Sequence, residues 1–163
     1  MVLRLVYTFF IGVLLATFVG VGIAAFYPGP KAPEPPVSVK YAPPCESFKD
    51  EVASQKIRDE QEEFDKSMRV YQTQSEKYNR DVSIASLLAA ILILIVSLTL
   101  FKKILLIADG LLLGGVLTLI YSIIRGFGSG DNMFRFLVVS AGMVIALFLG
   151  YIKFIQPTQA KRK

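Results

Sequence analysis

Asp109 is the only acidic residue inside a long apolar run of this chain, so any intramembrane acid–base or ion chemistry has to start there. An ionisable side chain in hydrocarbon is costly and marks a proton relay, an ion path or a charge pair. Asp109 follows Lys102-Lys103 by about 8 Å of helix, which places it near one interface rather than at mid-membrane. Three readings stand: a structural pair, with Lys153 of the last run or Tyr7 and Thr8 of the first at similar depth; ion or proton handling; and a contact for another subunit. Structural pairing leads, because transport normally adds a partner base or a broken helix.

Little else in the chain invites chemistry. There is no histidine and one cysteine, Cys45. Imidazole acid–base work, Cys/His nucleophiles, His/Cys zinc sites and intramolecular disulfides therefore fall away. Cys45 is expected to pack as a small side chain, with an intermolecular disulfide as the alternative. The cluster Asp59, Glu60, Glu62, Glu63 and Asp65 reads as the solvated face of a helix before it reads as a divalent-cation site. Gly126-Phe127-Gly128-Ser129-Gly130 lacks the lysine and the strand-to-helix setting of a phosphate-binding loop, and is expected to be a flexible turn. Asp109, Tyr7, Tyr121 and Tyr151 alone are poor material for catalysis. We expect a protein that is not an enzyme and carries no cofactor or metal.

Four apolar runs must position these residues: Leu5–Phe26, Val82–Phe101, Ile104–Ile124 and Phe136–Ile155. Each is near the ~20 residues that cross a bilayer, and hydrocarbon admits such runs only as helices. The first exceeds the roughly 7–15 residues of a secretory signal core, so it reads as an anchor. The expected class is an all-α integral membrane protein: a four-helix transmembrane bundle with an extracytoplasmic stalk. Its divisions are helix 1 at 1–26, stalk at 27–81, helix 2 at 82–101, helix 3 at 104–125, an outer loop at 126–135, helix 4 at 136–155 and a basic tail at 156–163. Arg4, Lys102-Lys103 and the group Lys153, Lys161, Arg162 and Lys163 all fall on one side, which the positive-inside rule makes cytoplasmic. Both termini are then cytoplasmic in a multi-pass cell-membrane protein. Arg125 and Arg135 weigh the other way. The net charge of +5 is spread over membrane ends rather than gathered in a patch, so nucleic acid is not an expected partner.

The stalk has two legs. Residues 28–44 hold seven of the eight prolines, while 47–81 holds none. Polyproline II repeats every three residues, so Pro30, Pro33, Pro36, Val39, Ala42 and Cys45 share an apolar row. From an N-cap at Ser47, with Asp50 as an imperfect capping box, a helix is expected to run into the second span. Ile57, Phe64, Tyr71 and Tyr78 recur at intervals of seven, with Met68 and Val82 four residues after two of them, so one narrow apolar stripe follows the helix. Glu62/Lys66, Asp65/Arg69 and Glu76/Arg80 offer i,i+4 pairs on its other faces. The legs match in height, about 60 Å of proline segment at ~3.1 Å per residue and about 52 Å of helix at 1.5 Å. A hairpin follows, with the prolines lying on the stripe; an intermolecular coiled coil is the competing arrangement. The proline-on-tyrosine packing resembles the pancreatic polypeptide hairpin in local architecture, which implies no hormone activity.

Small residues recur at intervals of four in every span: Gly12, Ala16, Gly20 and Ala24; Ser86 and Ala90, with Ala85 and Ala89; Gly110, Gly114, Thr118 and Ser122; and Gly142, Ala146 and Gly150. Such rows let backbones approach where lipid supplies no hydrophobic drive between helices. A compact bundle is expected, its rows facing each other or other subunits. The layout of four spans with a large first outer loop resembles tetraspanins and claudins, but the cysteines that define those loops are absent, so no function carries over. The expected role is a membrane scaffold or accessory subunit, a homo-oligomer or part of a membrane complex, that associates through its stalk and small-residue faces. The alternative is a small ion or proton transporter or channel component using Asp109.

Overall fold

The computed structural model describes residues 2–36, 51–99 and 105–152. Cys45, the Ser47 cap, Val39 and Ala42, the Lys102-Lys103 turn, Lys153 and the basic tail lie outside them. Four helices follow in order: α1 (Val2–Phe26), α2 (Glu51–Thr99), α3 (Leu105–Phe127) and α4 (Asn132–Gly150). Among the described residues there is no strand. Every one of the four is long and apolar enough to cross a membrane. Their outward surfaces agree: Phe9, Phe10 and Phe18 on α1 and Phe136, Leu147 and Phe148 on α4 are all exposed. Apolar surface of that extent is stable against lipid and unstable against water.

The longest element, α2, is a single helix of 49 residues whose polar first part and apolar second part share one backbone. No proline or glycine interrupts Glu51–Thr99, so nothing in the sequence breaks the i to i−4 ladder. At 1.5 Å per residue it is about 73 Å long, more than twice a ~30 Å hydrocarbon core. Its apolar run begins at Val82, which is nearly fully buried.

At the centre of the bundle is α3. Both α1 and α2 pack along it, α4 leans on it more lightly, and α1 touches α2 little. The α1 seam is steric. Ile11 sits over Gly110, Leu15 over Gly114 and Leu113 over Gly12. A β-carbon on Gly114 would stand 2.7 Å from Leu15 Cδ2 and 3.2 Å from the Gly12 carbonyl oxygen, so only glycine allows this approach. The α2 seam joins a like contact, Leu94 over Gly115, to buried hydroxyl bonds. Ser83 Oγ donates to the Ser122 carbonyl at 2.8 Å, and Ser122 Oγ donates back to the Ser83 carbonyl at 2.7 Å. Farther along, Ser97 Oγ donates to the Ala108 carbonyl at 2.8 Å. These hydroxyls are buried with partners, as buried polar groups must be.

The α3–α4 connection is tighter than the 126–135 loop read from composition. Gly126 and Phe127 still belong to α3, and α4 begins at Asn132 rather than Phe136. Two features shorten it. Gly128 N–H donates to the Arg125 carbonyl and Ser129 N–H to the Gly126 carbonyl, closing a turn on the end of α3. Asp131 then N-caps α4, its Oδ1 accepting from Met133 N–H at 2.9 Å. Gly130 takes φ +72°, where a β-carbon would also stand 2.5 Å from the Glu76 carboxyl carbon.

Candidate functional site

Among the described residues, a dense set of specific side-chain interactions lies where α2 passes from its polar to its apolar part. Tyr121 and Arg125, four residues apart, share one face near the end of α3. Arg125 Nε donates to Tyr121 Oη at 3.1 Å, and its Nη1 donates to Asn79 Oδ1 on α2 at 2.8 Å. The guanidinium carbon lies 5.6 Å from the ring centre of Tyr78 and 5.5 Å from that of Tyr121, within cation–π range of both. Asn79 Nδ2 donates onward to the Gly128 carbonyl at 3.3 Å. The chain leaving α1 joins the same cluster: the Tyr27 ring stacks on Tyr78 with centres 5.4 Å apart, and its hydroxyl donates to Asp81 Oδ2 at 3.1 Å. That hydrogen bond to a carboxylate raises the Tyr27 pKa above its ordinary value. Three segments distant in sequence are thereby clasped at the foot of the polar part of α2.

Along the polar part, Ile57, Phe64, Met68, Tyr71 and Tyr78 are half-buried, together with Glu60 and Ser75 on the same face. The other residues between Ile57 and Tyr78 are exposed. After Tyr27 the chain repeats this pattern with a period of three: Pro30, Pro33 and Pro36 are half-buried, whereas Lys31, Ala32, Glu34 and Pro35 are exposed. Gly29 lies against the Tyr78 ring, a β-carbon there meeting it at 3.1 Å. Of the three i,i+4 pairs read from the sequence, Glu62–Lys66 closes at 2.8 Å and holds the Glu62 carboxyl below its usual range. Arg80 instead reaches Asp81 at 3.9 Å. No three of His, Cys, Asp and Glu converge as a metal would require among the described residues.

At the opposite end of the bundle Asp109 lies 3.1 Å from Arg4 Nη2. Arg4, a marker of sidedness in the sequence, spans the gap from α1 to α3 with its long side chain. The expected alternative Lys153 lies outside the described residues. The pair is partly open to solvent, with 55% of the Arg4 and 32% of the Asp109 side-chain surface exposed.

The small-residue rows divide in two. Gly12, Gly110 and Gly114 lie in the α1–α3 seam, and Gly142 packs against Ile123 of α3. Ala16 is half-buried, Gly20 has only the Tyr121 ring nearby, Ala146 is exposed, and nothing lies within 4 Å of a β-carbon on Gly150. Sequence reasoning missed the clasp itself. The available signals were the aromatic residues at polar-to-apolar transitions, Tyr27, Tyr78 and Tyr121, with an arginine one helical turn beyond the last. Comparison with protein-family models, with curated proteins and with solved structures finds no match for this chain.

Proposed function

We propose that this protein is a non-enzymatic membrane scaffold or accessory subunit that presents a stiff stalk to partner proteins or to a second copy of itself. The observation that carries the reading is the unbroken α2, clasped at its foot to the ends of α1 and α3. A helix that continues into a packed span and is fixed where it emerges holds its tip at a set height and direction. Such a device suits contact rather than chemistry.

In this reading the proline segment climbs α2 as the second leg of a hairpin. Tyr27 faces Tyr78, and from that point the segment rises ~3.1 Å per residue in polyproline II while the helix rises 1.5 Å. Pro30, Pro33 and Pro36 then come level with about Tyr71–Ser75, Phe64–Met68 and Ile57–Glu60, the half-buried groups of the stripe. The two half-buried rows match in register, and each accounts for the partial burial of the other. The termini are assigned to the cytoplasm and 27–81 to the outside on charge bias. Ala146 and Gly150, open on α4, supply a second surface for association within the membrane. The transport alternative is weaker, because Arg4 gives Asp109 a structural countercharge at the end of the bundle.

The test is the double variant Phe64→Ala, Tyr71→Ala. Full burial of an aromatic is worth ~3–5 kcal/mol, and two half-buried ones are worth a comparable amount together. Their loss should release 28–44 to protease, leave the bundle folded and abolish association. Equal protease sensitivity before and after would end the hairpin; association that persists would end the stalk's role as the contact surface.

A further inference from the structure

Where α1 and α3 separate beyond their glycine seam, they leave a groove of about 410 Å³. One wall is the small-residue face of α1 at Ala16, Gly20 and Ala24; the other carries Tyr121 and, at the mouth, Arg125. The contrast with the seam is geometric. A β-carbon on Gly12 would stand 2.9 Å from Leu113, whereas one on Gly20 would find nothing nearer than Tyr121 at 3.9 Å. From Ala16 to Ala24 the groove follows about 12 Å of helix, against about 15 Å for one leaflet of hydrocarbon.

Arg125 gives this groove a polarity. It is half-buried in the last turn of α3, beside the clasp. Its partners are all uncharged: the Tyr121 hydroxyl, the Asn79 amide and two aromatic faces. No carboxylate lies within ion-pair distance of it among the described residues. None of these partners supplies a countercharge, and the fork geometry of the guanidinium suits phosphate. It stands on the last turn of the α3 span, over the Tyr78 ring on which Tyr27 at the end of the α1 span stacks, and helix ends with such aromatics are where a bilayer would set its headgroups.

We propose that the groove binds one anionic membrane phospholipid, with an acyl chain along Ala16–Ala24 and its phosphate on Arg125. Charge complementarity argues for an anionic lipid, and the apolar floor ending at a cation argues for a chain-plus-headgroup occupant rather than a free anion. The site also explains why an arginine is tolerated at the membrane end that the positive-inside rule disfavours: a bound lipid supplies the missing negative charge.

The experiment uses the full chain purified in detergent, exposed to equal amounts of dioleoylphosphatidylglycerol and dioleoylphosphatidylcholine and weighed by native mass spectrometry. One phosphatidylglycerol per chain should be retained in preference to phosphatidylcholine. Arg125→Gln should lower that retention about tenfold, the size expected for one hydrogen bond to a charged group. Gly20→Leu keeps the Arg125 guanidinium and fills the groove opposite the Tyr121 ring, and should displace both lipids even if the arginine variant fails to fold. Equal retention of the two lipids by the unaltered chain, or unchanged retention in Gly20→Leu, would overturn the site. So would loss of a dimer in place of lipid in Gly20→Leu, since a second copy would then be the occupant.

Discussion

The two seams on either side of α3 share close glycine packing and differ in what they add to it. Toward α1, glycines bring backbones together and let Ile11, Leu15 and Leu113 sit directly on the facing helix. Toward α2, Gly115 likewise lies under Leu94, and serines add reciprocal bonds between Ser83 and Ser122 and a further one from Ser97. Lipid offers helices no hydrophobic reason to associate, so contact packing and hydrogen bonding are the two available currents of stabilisation. The difference shows in what each contact tolerates. A glycine contact fails by steric insertion, whereas hydroxyl bonds lose strength by small increments.

The largest effect should come from inserting bulk into the glycine seam. Gly114→Leu would press on both Leu15 and the Gly12 carbonyl, and overpacking against backbone should cost about 3 kcal/mol or more. Detergent unfolding would read the loss, and disulfide cross-linking between introduced cysteines on α1 and α3 should fall away. Cross-linking that survives would mean that the seam is not close-packed. The serine seam should respond less. Ser83→Ala with Ser122→Ala removes two interhelical bonds at ~0.6 kcal/mol each, about 1 kcal/mol together. A loss as large as that of Gly114→Leu would erase the distinction between the seams. Smallest of all should be Asp109→Asn. The pair with Arg4 is half-open to solvent, and an amide still accepts from the guanidinium, so the loss should stay under about 1 kcal/mol. Normal assembly with an abolished ion flux in reconstituted vesicles would instead revive the transport reading.

What could be read from the residues follows from the range of the forces involved. Four spans are visible because hydropathy is a local sum over about 20 residues, and the stripe from Ile57 to Tyr78 is visible because its period is fixed by one helix. The Arg4–Asp109 pair was half legible: a carboxylate in a span demands a partner, but which cation reaches it depends on how α1 packs on α3. Asp131, which the sequence sets between Arg125 and Arg135, acts as the cap of α4, a role that its neighbours in sequence do not reveal. The clasp was illegible as a unit, since Tyr27, Tyr78, Asn79 and Arg125 come from three segments that only the packed bundle brings together. The glycines at 126–130 carry a similar lesson. Composition predicts a turn there and residues 128–130 form one, but it does not reveal that Gly126 is buried against Ser83 and Val138 or that the side chains of Asn79 and Glu76 close over Gly128 and Gly130.

The central claim is that the proline segment and the polar part of α2 form one hairpin standing on the bundle. Spin labels at Glu34 and Asp65, both exposed, in a chain with Cys45→Ser, would test it by pulsed electron resonance in lipid nanodiscs. The two positions come level about 20 Å above the clasp at the polyproline and helical rises. The hairpin predicts one narrow distance distribution of about 20 Å or less, unchanged when labelled protein is diluted with unlabelled. A broad distribution extending beyond about 40 Å, wider than two packed elements and their labels can span, would contradict it and leave the proline segment as a tether.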